Sequence, residues 1–155
     1  MVKQARGRYY EELEVGETYE HRPGRTVTEF DNTLWTLLSV NIQPLHINAD
    51  FASRSEFGQR LVNSMLTMSV VIGLQVHDIT LGTTVANLGF EEVEFPEPVF
   101  IGDTLYSETE VLDKRRSESR DDSGIVIFQH RGKNQDGDIV CRCKRAGLML
   151  LAENE

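Results

Sequence analysis

The segment from Asn41 to Met65, NIQPLHINADFASRSEFGQRLVNSM, gathers the residue types that could do chemistry. A turn stiffened by Pro44 ends in His46, and an imidazole is a side chain suited to general acid–base work. Asn63 and Ser64 stand at the mouth of an almost wholly apolar run, MLTMSVVIGLQV. Polar groups that open onto a buried helix must each find a partner or a task. The other histidines, His21, His77 and His130, show no partner spacing and read as ordinary residues. Asp31 offers a carboxylate upstream, although its place three residues after Thr28 reads as a helix cap. Glu91, Glu92 and Glu94 read as a solvated or dimer-facing strand edge, not as paired catalytic carboxylates.

These residues need elements to hold them. Thr28 caps a helix in which Phe30, Leu34, Leu37 and Leu38 recur at helical spacing, ending near Val40 because Pro44 cannot continue it. Asn48 caps a short helix to about Ser55, anchored by Phe51 and broken by Gly58. Asn63 or Ser64 caps the run from Met65 to about His77, which is apolar on nearly every side and is expected to be buried all round. Gly73 in its middle points to close approach by a neighbouring backbone. Upstream, residues 1–8 read as a loose start, and Tyr9 to Val27 as extended chain interrupted at Pro23-Gly24. From Thr83 the rhythm becomes that of long antiparallel strands. Pro96 and Pro98 end the first or confine it to an edge, and Asp136-Gly137 marks a hairpin. A curved sheet wrapping one buried helix, an α+β single domain over residues 1–155, is the economical solution.

Composition narrows the partners. A net charge of -9 argues against nucleic acid, and the small basic spots Lys114-Arg115-Arg116 and Lys144-Arg145 read as solvated strand ends, with reception of a phosphate tail as the alternative. Cys141 and Cys143, at i and i+2 on a strand, lie roughly 6.5 Å apart, too far for a disulfide. Reduced cysteines fit a cytoplasmic protein. There is no apolar run of about 18 residues and no signal-peptide pattern, so neither a membrane span nor export is expected.

The order of elements, with NIQPLHIN, FGQRLVNSM and Phe95-Pro96-Glu97-Pro98-Val99-Phe100-Ile101-Gly102-Asp103, resembles the MaoC-like dehydratases, also called (R)-specific enoyl-CoA hydratases, of the hotdog fold. The likeness runs from about Val15 to Leu148. It implies a single hotdog domain that adds water to the α,β double bond of an acyl-CoA thioester, or removes it. It puts the catalytic histidine at His46 and the catalytic aspartate at Asn41. The asparagine before the proline becomes Gln43, and the His-Gly before the central helix becomes Asn63-Ser64. An asparagine cannot take a proton from water, so the two-base form of the family mechanism does not carry over.

On that resemblance, His46 is general base and acid, the Ser64 backbone N–H is the oxyanion donor, and Asn41 positions water or thioester by its amide. The plainer readings make Ser64 an N-cap and Asn41 a loop residue satisfying its own backbone. No metal or organic cofactor is implied, and CoA enters as part of the substrate. A homodimer or higher even oligomer is expected, with the acyl chain between subunits. A dicarboxylic acyl group would be supported by a pocket arginine, with Arg25, Arg54 and Arg60 as candidates. The rivals are a thioesterase, which usually needs a carboxylate on the central helix, and a catalytically degraded acyl-CoA binder, which Asn41 favours.

Overall fold

A computed structural model of the chain describes residues 5–152. Strand β1 (Thr18–Thr26) leads into four helices, α1 (Glu29–Leu38), α2 (Pro44–Ile47), α3 (Ala49–Ser53) and α4 (Ser64–Leu74). Four long strands follow: β2 (Thr84–Glu94), β3 (Thr104–Arg116), β4 (Ser123–Lys133) and β5 (Ile139–Leu150). They form one antiparallel sheet in the order β1-β3-β4-β5-β2 that packs around α4, the arrangement expected of a hotdog domain. β1 keeps its pairing with β3 across a register shift between His21 and Arg25, where Pro23 and Gly24 interrupt it. β2 is an edge strand, and Pro96 and Pro98 lie just beyond its end.

Local chemistry starts and stops the helices as the sequence suggests. Thr28 and Asp31 form a reciprocal capping box: the Thr28 hydroxyl accepts from Asp31 N–H at 3.3 Å, and the Asp31 carboxylate from Thr28 N–H at 2.8 Å. Asp31 also takes Arg25 at 2.6 Å. Burial pushes its carboxyl up, but hydrogen bonds from Arg25 and Thr28 outweigh this and hold it below its ordinary value. Asp31 therefore serves as a helix cap. At the other end of α1, Val40 N–H donates to Leu37 O at 3.1 Å and Asn41 N–H to Thr36 O at 3.0 Å, a Schellman closure with Val40 at φ 58°.

Leu66 and Val70 on one face of α4 pack among Val27, Val62, Val99, Leu105 and Val140, and Met68 and Val71 pack on the free, buried Cys141 and Cys143. Sheet and helix approach closely at Gly132, where an added Cβ would collide with Val71. A polar chain also crosses the interior. His21 Nδ1 meets the Asp78 carboxylate at 2.8 Å, His21 Nε2 meets the Thr109 hydroxyl at 2.8 Å, and that hydroxyl meets His130 Nδ1 at 2.9 Å. The spacing of these two histidines in the sequence gives no hint of the link.

Two expectations are corrected. α4 is not buried all round: Met65, Ser69 and Gly73 form an open stripe, because the sheet of one chain covers only part of the helix. Gly73 has nothing within 4 Å of an added Cβ, so no neighbour in this chain requires a glycine there. The apolar residues of α1 face outward, with Phe30 71% and Leu38 73% exposed; Asn32, Thr36 and half-buried Trp35 face in instead. Among the described residues no helix is long and apolar enough to cross a membrane.

Candidate active site

Two of the three anticipated residues meet at one cavity of about 260 Å³. His46 and Ser64 line it with Thr67 and with a mostly apolar wall that includes Phe57, Val62, Phe95 and Val140. A larger polar hollow of about 730 Å³ lies between the N-terminal segment, β1 and His77-Asp78, and includes none of these residues. The smaller cavity is the better candidate, because it alone joins a histidine to a helix N-terminus and an apolar wall.

Each polar group is held by local structure. Pro44 opens α2 at its first turn, where its missing N–H is no loss, and the turn carries His46. His46 Nδ1 lies 3.0 Å from the carbonyl oxygen of Leu61, so in the neutral imidazole Nδ1 donates and Nε2 keeps its lone pair. Leu61 itself pairs with Phe100, and Val62 N–H donates to Val99 O at 2.8 Å, which fixes the strip that presents this carbonyl. Asn63 is the N-cap of α4: its Oδ1 accepts from Met65 N–H at 3.0 Å, and its carbonyl takes Thr67 N–H at 3.0 Å. Ser64 is therefore the first helical residue rather than the cap. Its N–H has no acceptor within the helix and stands at the helix's positive end.

Asn41 is placed differently. It is exposed, does not line the cavity, and its Oδ1 accepts from Gln43 N–H at 3.3 Å, an Asx turn within its own loop. The candidate arginines are also outside. Arg25, Arg54 and Arg60 pair with Asp31, Asp50 and Glu29 at 2.6, 2.6 and 2.7 Å, and none lines the cavity. Among the described residues no cluster of three or more His, Cys, Asp or Glu could hold a metal ion. One residue at the site escaped the sequence reading. Asn32, fully buried on α1, donates to the carbonyls of His46 and Leu61 and accepts from Asn63 N–H. A lone asparagine in a helix gives no signal of such a role.

Comparison with known proteins places this geometry in context. The MaoC like domain family matches residues 11–130. A mesaconyl-CoA hydratase of Cereibacter sphaeroides is 34% identical over 139 residues, 90% of this chain and 40% of that one. An (R)-specific enoyl-CoA hydratase of Aeromonas caviae is 30% identical over 128 residues, 83% of this chain and 89% of that one. A Mycobacterium tuberculosis protein described as having a double hotdog fold superposes with a TM-score of 0.85 at 20% identity, covering 96% of this chain and 46% of its own, which bears on the fold alone. The chain spans about two fifths of the length of the first curated relatives it matches. With the matched region running from the start of the fold into β4 and the central helix wrapped by the sheet, the chain belongs to the MaoC-like domain family and has its hotdog fold.

Proposed function

We propose that the protein is a hydro-lyase that hydrates an enoyl-CoA or dehydrates a 3-hydroxyacyl-CoA. The observation that carries the reading is the His46–Leu61 contact beside the N-terminus of α4. It supports His46 Nε2 as the base that takes a proton from water. The hydroxide adds to Cβ of the enoyl thioester, and charge moves to the thioester oxygen. The Ser64 N–H stabilises that oxygen at the positive end of α4. His46 Nε2–H then returns the proton to Cα, so that H and OH have been added and the base is restored. Asn41, exposed and outside the cavity lining, would hold the water through its Nδ2 only where the bound substrate brings that water to its loop, with Oδ1 kept in the turn.

The reaction needs no metal or organic cofactor; CoA comes with the substrate. The relatives named as hydratases of CoA esters support this reading, and the one named for mesaconyl-CoA makes a dicarboxylic acyl group a candidate, in which case its carboxylate receptor lies outside the described cavity lining. The protein works as a homodimer or a higher even oligomer in the cytoplasm, joined through β2. The exposed Val85, Leu88 and Val93 on that edge support this.

A catalytically degraded acyl-CoA binder is the second reading, favoured by the neutral Asn41. A thioesterase is disfavoured because α4, SMLTMSVVIGL, carries no carboxylate. Incubation with crotonyl-CoA and branched enoyl-CoAs separates them. Loss of the enoyl thioester absorbance supports the hydratase. Release of free thiol supports a thioesterase, and binding without either supports the binder.

A further inference from the structure

Asn32 is a buried side chain that touches both halves of this site. It sits inside α1 with no exposed surface, and all of its hydrogen bonds leave its own helix. Its Nδ2 donates to the backbone carbonyl of His46 at 3.0 Å and to that of Leu61 at 3.2 Å. Its Oδ1 accepts from the backbone N–H of Asn63 at 2.9 Å. The Leu61 carbonyl is the same one that takes His46 Nδ1–H. A single amide therefore grips the backbone of the histidine, the carbonyl that orients its ring and the residue that caps α4.

From this geometry we infer that Asn32 is a positioning residue for the reaction: it sets the distance between the His46 ring and the N–H groups at the start of α4. The inference rests on the hydratase reading above. Helix propensity disfavours asparagine inside a helix, and burying an amide is costly unless every polar atom is paired. Here the amide nitrogen has one N–H for each of the two carbonyls and the amide oxygen accepts from Asn63 N–H, so the residue is specified by its partners and not by the core around it. Aspartate has nearly the same shape and keeps the acceptor for Asn63 N–H, but it offers no N–H to either carbonyl. Alanine keeps neither. Both changes leave His46 and Ser64 in place chemically and loosen what aligns them.

The test compares native protein with Asn32→Asp and Asn32→Ala by steady-state hydration of crotonyl-CoA and by long-range proton–nitrogen spectra of the histidine rings. Native His46 should show a protonated Nδ1 and an unprotonated Nε2. In a folded variant kcat should fall about 10-fold or more with KM within about 3-fold, as expected when alignment and not binding is lost. The His46 ring signals should move toward a mixture of tautomers, with those of His77 unchanged. A folded variant with native kcat and native His46 signals overturns the inference, and so does a loss of kcat with native His46 signals. Should Asn32→Ala not fold, the isosteric Asn32→Asp decides. If native protein hydrates no enoyl-CoA, the hydratase reading fails on its own, and the ring signals still decide whether Asn32 orients His46.

Discussion

His46 Nδ1 lies 3.0 Å from the carbonyl oxygen of Leu61, and a carbonyl only accepts. The contact spends one ring nitrogen on orientation and leaves the other for proton transfer. It also ties the histidine to the strip that leads directly into the N-terminus of α4. The ring of a base carried on α2 and the N-terminus of α4 are thus both tied to one short run, Leu61 to Ser64.

Asn41 is where the chain departs most from its family's pattern. If its amide holds the water, Asn41→Ala should lower turnover about 10-fold through lost positioning. Asn41→Asp should place a charge near His46, favour the imidazolium and move the acidic limb of the pH–rate profile, where the base is lost to protonation, to higher pH. Native kinetics in both variants would remove Asn41 from the mechanism and leave it as the Asx turn that holds Gln43.

Val40 occupies the left-handed region at φ 58°, which a β-branched residue rarely adopts, and its side chain is 80% exposed. The Schellman closure of α1 holds it there. Val40→Asn should remove the strain without losing packing and stabilise the protein by about 1 kcal/mol. Urea unfolding measures this directly, and a lower midpoint in the variant would contradict it.

The exposed edge of β2 predicts assembly. Light scattering at micromolar concentration should give at least twice the chain mass of 17.6 kDa. Leu88→Lys and Val93→Lys together should shift the mass toward the monomer. A native mass of one chain would contradict the proposed edge pairing.

Burial, then the charge of Arg145 and then His21, pushes His130 well below its ordinary value, so it stays neutral in the fold. The unfolded chain takes up a proton near pH 6.5 that the folded chain refuses. Stability is therefore full above that pH and falls as pH drops below it, by up to about 1.4 kcal/mol per unit. Urea midpoints at about pH 7.5 and about pH 5.5 should differ more for native protein than for His130→Gln. Equal differences would assign the pH dependence to other groups.

What the sequence makes legible is local. Thr28 and Asp31 announce their capping box because both partners lie within one turn, and Pro44 announces the turn before His46. Pro96 and Pro98 announce the end of β2 and lie just beyond it. Long-range facts are not legible in this way. The spacing of Phe30, Leu34 and Leu38 reveals an apolar face but not whether anything covers it, and in this chain they are exposed. Asn32 finds its partners 14 to 31 residues away, and Thr109 lies 88 residues from His21 and 21 from His130. Such pairings are set by the way the sheet closes around α4, which no local spacing encodes.

The central claim is that His46 moves the proton, and hydration of one enoyl-CoA by native protein and by His46→Ala tests it most directly. The variant should keep the native circular dichroism spectrum and thermal midpoint, because His46 is only partly buried and its ring makes a single hydrogen bond among the described residues. Its turnover should fall about 10²–10⁴-fold, the usual contribution of a general acid–base. A folded His46→Ala protein that retains most of the native rate would contradict the account.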